Sequence, residues 1–129
     1  MPEAFIPLHE PRFVGNDRKY VMDAIDSTFV SSVGKYVDRF EEMIRDYTGA
    51  KYAIAVSNGT AALHLNTLAL NVKPGDKVIT TPITFVASAN CIRYCGGEVV
   101  FADIDPKTFL IDYNKVEKLL SGGLALKIL

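Results

Sequence analysis

The chain has 129 residues, 49% of them apolar, and its 14 basic and 15 acidic side chains leave a net charge of −1. That suffices for one domain with its own core and is too short for two, and without a basic stripe nucleic acid finds no electrostatic hold. No apolar run approaches the roughly 20 residues that span a bilayer, and Met1 to Glu10 lacks the layout of a secretion signal, so a cytoplasmic protein without a membrane partner is expected.

Met1 to Phe13 carries Pro2, Pro7 and Pro11 and reads as an extended arm. Gly15 to Ser27 reads as a helix with an apolar stripe of Val21, Ala24 and Ile25, and Ser31-Ser32-Val33-Gly34 as a loop. Val37, Phe40, Ile44 and Tyr47 recur at helical spacing, and Gly49 stands where a C-cap belongs. From there strand and helix alternate. Strands are predicted over Tyr52–Val56, Lys77–Thr81 and Glu98–Ala102, and helices over Thr60–Leu70, Thr84–Cys95 and Tyr113–Leu120, the last with Asp112 as N-cap. Short apolar strands joined by helices imply an α/β fold, a mainly parallel sheet flanked by helices. Right-handed crossovers bring the carboxyl ends of such strands to one edge, where ligands bind. The segments 57–61, 81–85 and 103–105 all leave at that edge. Residues 121–129 do not fit the plan and read as an atypical tail, apolar from Leu124 to Leu129, and three strands make an incomplete sheet.

The most informative stretch is Ser57-Asn58-Gly59-Thr60-Ala61-Ala62-Leu63. A small polar turn opening a helix aims free N–H groups and the positive end of the helix dipole at one point, which suits a phosphate. Gly59 lets the backbone come close, and the hydroxyls of Ser57 and Thr60 can each donate a further hydrogen bond. The competing reading is a plain helix start, which the same residue types serve.

Other residues invite chemistry less strongly. Cys91 and Cys95 lie one helical turn apart, but no second pair completes four ligands, so they read as small buried residues of a reducing compartment and no metal is expected. His64 reads as a packing or solvent-facing residue, Asp103 and Asp105 as turn residues before Pro106, and Glu41-Glu42 as a solvated helix face. A Rossmann dinucleotide site would need Gly-x-Gly-x-x-Gly after the first strand, which the chain lacks.

Five blocks, in order and at matching spacing, resemble the opening of the DegT/DnrJ/StrS sugar aminotransferases, pyridoxal 5'-phosphate (PLP) enzymes of fold type I. They are Ile6–Phe13, Val30–Glu41, Ser57–Leu63, Pro82–Asn90 and Val100–Asp105. The run Ser31-Ser32-Val33-Gly34-Lys35-Tyr36-Val37 resembles the LegC-like branch, which acts on nucleotide-linked 4-keto-6-deoxy sugars. The resemblance implies that residues 1–129 form the N-terminal part of the large, PLP-binding domain, with 1–34 an arm, helix and loop. It implies that Asn58, Gly59, Thr60 and Ala61 hold the PLP phosphate and that Phe85 stacks on the pyridine ring. Plain core packing is the alternative for Phe85, because positions 85, 88, 92 and 95 share a helical face. It further implies that Ser31, Ser32, Gly34 and Tyr36 line the sugar-nucleotide entrance, that the amino donor is glutamate, and that the whole enzyme is a homodimer.

No catalytic residue falls within these 129 positions. The family's Schiff-base lysine and its ring-pairing aspartate lie on strands beyond this stretch; no lysine here matches the motif, and Asp103 and Asp105 do not match the aspartate. The isolated chain is therefore expected to be inactive, its tail the mark of truncation or of a frame change near Ser121. Two other readings stay open: a non-catalytic phosphate-binding or dimerising module, and the front part of a PLP-dependent sugar dehydratase.

Overall fold

The computed structural model describes residues 5–122 and 126–128. The first four positions of the expected arm, and residues 123–125 and 129 of the tail, lie outside the described residues. The chain divides into two compact units, Met1–Ala55 and Val56–Leu129.

In the first unit, residues 5–14 form neither helix nor strand and are exposed throughout. Helix α1 spans Asp17–Asp26 and α2 spans Lys35–Thr48. Gly49 closes α2 at φ 71°, donating its N–H to the Arg45 carbonyl at 2.8 Å, the left-handed cap that glycine adopts without a Cβ penalty. The apolar stripes of both helices stay largely uncovered among the described residues: Val21, Ile25, Phe40 and Tyr47 are all exposed.

The second unit holds α3 (Gly59–Ala69), β1 (Lys77–Thr80), α4 (Ala87–Tyr94), β2 (Glu98–Phe101), α5 (Tyr113–Ser121) and β3 (Leu126–Ile128). The sheet is parallel in the order β2-β1-β3, with Lys77 opposite both Glu98 and Leu126. Neighbouring residues of the central strand face opposite ways, as the pleat requires. Val78 packs with Val72, Cys91 and Ile92, with Leu63 of α3 against them; Ile79 packs with Ala102 and Val116, joined by Ile111 and Leu119. Helices α3 and α4 thus cover one face and α5 the other, the two-sided cover expected of parallel strands.

Two short connections set the direction of the helices. Only residues 70–76 join α3 to β1, and Leu63 packs on the cluster that holds Val78; so short a connection between packed elements makes them antiparallel, which directs the N-terminus of α3 toward the strand's carboxyl end. Gly96, at φ 77°, ends α4 and turns it into β2; a Cβ there would stand 2.8 Å from Cγ of Pro74.

Three expectations are corrected. Tyr52–Val56 forms no strand. Its apolar composition favours extended chain, but a strand needs a ladder partner, and the Ala55 N–H is instead given to the Glu41 carboxylate at 2.7 Å. The segment 126–128, to which the sequence assigned no element, supplies the third strand through its backbone pairing with β1. Helix α4 also starts at Ala87 rather than Thr84, after a turn in which the Thr84 and Ser88 hydroxyls share a hydrogen bond at 3.1 Å.

Candidate functional site

The start of α3 is built by Asn58. Its backbone is extended, and its Oδ1 accepts the Ala61 N–H at 2.9 Å while its carbonyl accepts the Ala62 N–H at 3.2 Å. The capping bond engages Ala61, so the donors left without a helical acceptor are the N–H groups of Gly59 and Thr60. Ser57 Oγ lies 3.2 Å from Asn58 Nδ2 and accepts from it, which leaves the hydroxyl hydrogen available. A Cβ built on Gly59 would meet nothing within 4 Å. Packing within the protein therefore does not require glycine here, and the space over the turn is open to a ligand.

Two further features belong to the same carboxyl edge. Phe85 precedes α4 and is 76% exposed, so it is not a core residue here; Ile92, fully buried, takes the core position on that face. Thr81 follows the last residue of β1, and its Oγ1 is buried with no hydrogen-bond partner among the described residues. At the end of β2 the acidic residues are used locally: Asp103 Oδ1 accepts the Ile104 N–H at 2.9 Å and Asp105 Oδ1 the Lys107 N–H at 2.8 Å. His64 sits half-buried on α3, edge-on to Tyr94 with centroids 5.4 Å apart. Cys91 is buried, donating to the Ser88 carbonyl at 3.3 Å, and Cys95 is half-buried. Among the described residues no cluster of His, Cys, Asp or Glu is placed to hold a metal ion.

In the first unit, Ser31, Gly34 and Tyr36 line a cleft of about 170 Å³ together with Phe29 and Val33, whereas Ser32 does not line it. The loop is clasped at its base. Tyr36 donates its phenolic hydrogen to Asp23 Oδ2 at 2.6 Å, and the Lys35 ammonium pairs with the same carboxylate oxygen. Hydrogen bonds from Lys35 and then Tyr36 hold the Asp23 carboxyl below its ordinary value; in return Asp23 raises both partners. Around the clasp the Tyr20 ring lies 5.5 Å from that of Tyr36, and the Arg39 guanidinium stands over Tyr20 at 5.8 Å.

Sequence reasoning missed three residues. Asp23 carries no local signal in the sequence, because its partners Lys35 and Tyr36 lie across a loop. Glu41, taken for a solvated side chain, is half-buried and holds Ala55. Thr81 carries a signal only in its lack of a partner, which no sequence displays.

Comparison with known proteins accounts for this layout. The family model for the DegT/DnrJ/EryC1/StrS aminotransferase family matches residues 12–123. GDP-perosamine synthase of Caulobacter vibrioides is 47% identical over 90% of this chain and 31% of its own length. The protein of the same name from Vibrio cholerae is 46% identical over 90% of this chain and 32% of its own. Among solved structures, a protein of Streptococcus pneumoniae assigned as a sugar aminotransferase, in its PLP form, superposes with a TM-score of 0.80 at 31% identity, over 88% of this chain and 29% of that one. The chain thus spans about a third of the length of these curated relatives. With the helix-start turn, the parallel sheet and the loop-bearing helical unit in family order, the chain belongs to the DegT/DnrJ/EryC1/StrS aminotransferase family.

Proposed function

We propose that this chain is the N-terminal part of the large domain of a PLP-dependent sugar aminotransferase, the part that seats the cofactor's phosphate and one face of its ring. The observation that carries the reading is the turn at Gly59: two N–H donors at a helix start, under open space that a Cβ would enter. When bound, the cofactor supplies the electron sink that lets an amino group move between donor and acceptor.

This chain's residues bind and orient. The N–H groups of Gly59 and Thr60, with the hydroxyls of Thr60 and Ser57, suit the three oxygens of a phosphate ester. Asn58 holds the turn, and the exposed Phe85 ring supplies a flat apolar face for the pyridine. In the other unit, the cleft at Ser31, Gly34 and Tyr36 is the entrance for a nucleotide-linked sugar, and the relatives' name favours a guanosine diphosphate carrier. The acceptor is a 4-keto-6-deoxy sugar destined for surface polysaccharide, the donor glutamate, the compartment the cytoplasm, and the complete enzyme a homodimer. No helix among the described residues is long and apolar enough to cross a membrane. Because no lysine here matches the family's catalytic motif, the chain alone binds the cofactor without turning over.

The test is equilibrium binding of PLP to the purified chain, followed by the cofactor's absorbance, beside the Gly59→Ala variant. The variant keeps its thermal midpoint, since its Cβ meets open space, and binds PLP at least tenfold more weakly. Equal affinity for both chains would place the phosphate elsewhere, and no binding by either would leave only a shared ancestry.

A further inference from the structure

Neither α1 nor α2 has a buried residue among those described, so no apolar seam sets how the two helices meet. Polar and ring contacts tie them instead, and these converge on two residues of α1. Tyr36 donates to Asp23 Oδ2 at 2.6 Å, and the Lys35 ammonium pairs with the same oxygen. Tyr20 meets the Tyr36 ring at 5.5 Å, with the Arg39 guanidinium over it at 5.8 Å. Both residues that Asp23 holds line the cleft of about 170 Å³, whereas Asp23 itself does not. The loop between the helices is held locally at its two ends. Ser27 Oγ donates to the Ala24 carbonyl at 2.7 Å and accepts the Phe29 N–H at 3.2 Å, and the Gly34 carbonyl accepts the Val37 N–H at 2.9 Å. Thr28 takes φ 59°, a left-handed conformation that a β-branched residue keeps only where its surroundings over-determine it. At Gly34, φ 143°, a Cβ would stand 3.1 Å from the Phe29 ring. The backbone of the cleft is thus fixed from within, while its Lys35 and Tyr36 side chains are fixed by a carboxylate outside it.

We propose that Asp23 is a positioning residue for substrate entry: from outside the cleft it holds Lys35 and Tyr36, which line it, in the arrangement that receives a nucleoside diphosphate. This rests on the entrance reading above and adds to it a residue that touches no substrate. An ammonium suits the diphosphate and a phenol ring offers a flat face to a base. Left unheld, both long side chains would sample several rotamers, and binding would bear the cost of ordering them; Asp23 orders them in the free protein. The hydrogen bonds from Lys35 and Tyr36 hold the Asp23 carboxyl below its ordinary value, so the arrangement persists through the neutral range. Positioning and bare charge predict opposite signs. As a charge alone, Asp23 opposes an anionic ligand, and its removal would strengthen binding. As a positioning residue, its removal weakens binding.

The experiment is equilibrium binding of guanosine diphosphate (GDP) to the chain and to its Asp23→Asn, Asp23→Glu, Tyr36→Phe and Ser31→Trp variants, each with its thermal unfolding curve. Asp23→Asn is expected to bind GDP about tenfold more weakly while still melting cooperatively. Asp23→Glu, which keeps the charge, recovers affinity. Tyr36→Phe breaks the same bond from its other end, shows a loss in the same direction, and decides the matter should the asparagine chain fail to fold. Ser31→Trp fills the cleft and abolishes binding. Equal or tighter binding by Asp23→Asn and Tyr36→Phe overturns this inference, and leaves the entrance reading standing where Ser31→Trp still blocks GDP. No GDP binding by the unsubstituted chain, or undiminished binding by Ser31→Trp, overturns the entrance reading and this inference with it.

Discussion

Tyr36 and Asp23 face each other across the loop that joins α1 to α2, phenol to carboxylate at 2.6 Å, with Lys35 on the same oxygen. One acid on α1 thereby fixes the first two residues of α2. The three groups have distinct limits in pH. Asp23 titrates below its ordinary value, so its contribution is present above the unfolded carboxyl pKa and is lost as pH falls through the lowered folded value. Lys35 and Tyr36 titrate above theirs, so their contributions are present below the unfolded values and are lost as pH rises through the folded ones. The clasp is closed through the neutral range. In Asp23→Asn the Tyr36 phenol loses its acceptor charge, and its ultraviolet titration moves to lower pH, with Tyr36→Phe identifying the transition. An unmoved titration would show that the hydrogen bond does not hold in solution.

Glu41 anchors the extended segment before the cofactor turn through the Ala55 N–H. Glu41→Ala removes a charge-assisted hydrogen bond worth about 1.5–3 kcal/mol. The local readout is hydrogen exchange: the Ala55 amide becomes fast while the β1 amides stay protected. Glu41→Gln, which keeps an acceptor oxygen, recovers part of the protection. Equal exchange at Ala55 in all three chains would remove the anchor.

Asn58 separates stability from binding. Asn58→Ala loses the cap over Ala61 and costs about 1 kcal/mol in denaturant unfolding. Asn58→Asp keeps a capping oxygen and the fold, but sets a negative charge beside the anion site and weakens PLP binding about tenfold. An aspartate variant that binds as well as asparagine would show that the phosphate is not seated at this turn.

The uncovered faces of α1 and α2 carry Val21, Ile25, Phe40, Met43 and Tyr47 in the open. A chain of this size with that much exposed apolar surface associates. Sedimentation at rising concentration should show a growing mean mass, and Phe40→Lys with Tyr47→Lys should reduce it. A monodisperse monomer with one cooperative melt would contradict this.

Signals that act within a few residues are mostly legible in the sequence, and those that depend on a distant partner are not. Asp112 caps α5 by accepting the Asn114 N–H at 2.9 Å, and Gly49 ends α2, because each acts within a few residues. The strands β1 and β2 were legible as continuous apolar runs between turns. Tyr52–Val56 has the same composition, yet whether such a run becomes a strand depends on a partner far along the chain. Leu126–Ile128 failed for the opposite reason: three residues are too few to show a period, and only the neighbouring strand identifies them. Of the candidate site, the turn at 58–60 was visible as residue types at a helix start. The engagement of Ala61 by Asn58, the open space over Gly59 and the orphan at Thr81 are facts of geometry.

The strand order β2-β1-β3 also sets a timetable. On a ribosome the central strand is the first of the three to be made, and its first neighbour follows after about twenty residues. Its other neighbour, opposite Lys77, arrives only some fifty residues later. Until then Val78 and Ile79 belong to a ribbon with one bare edge, open to pairing with any extended segment nearby. The sheet's middle thus waits for its second neighbour until some fifty residues after it has been made, and a delay there exposes the nascent protein to mispairing and to chaperone capture.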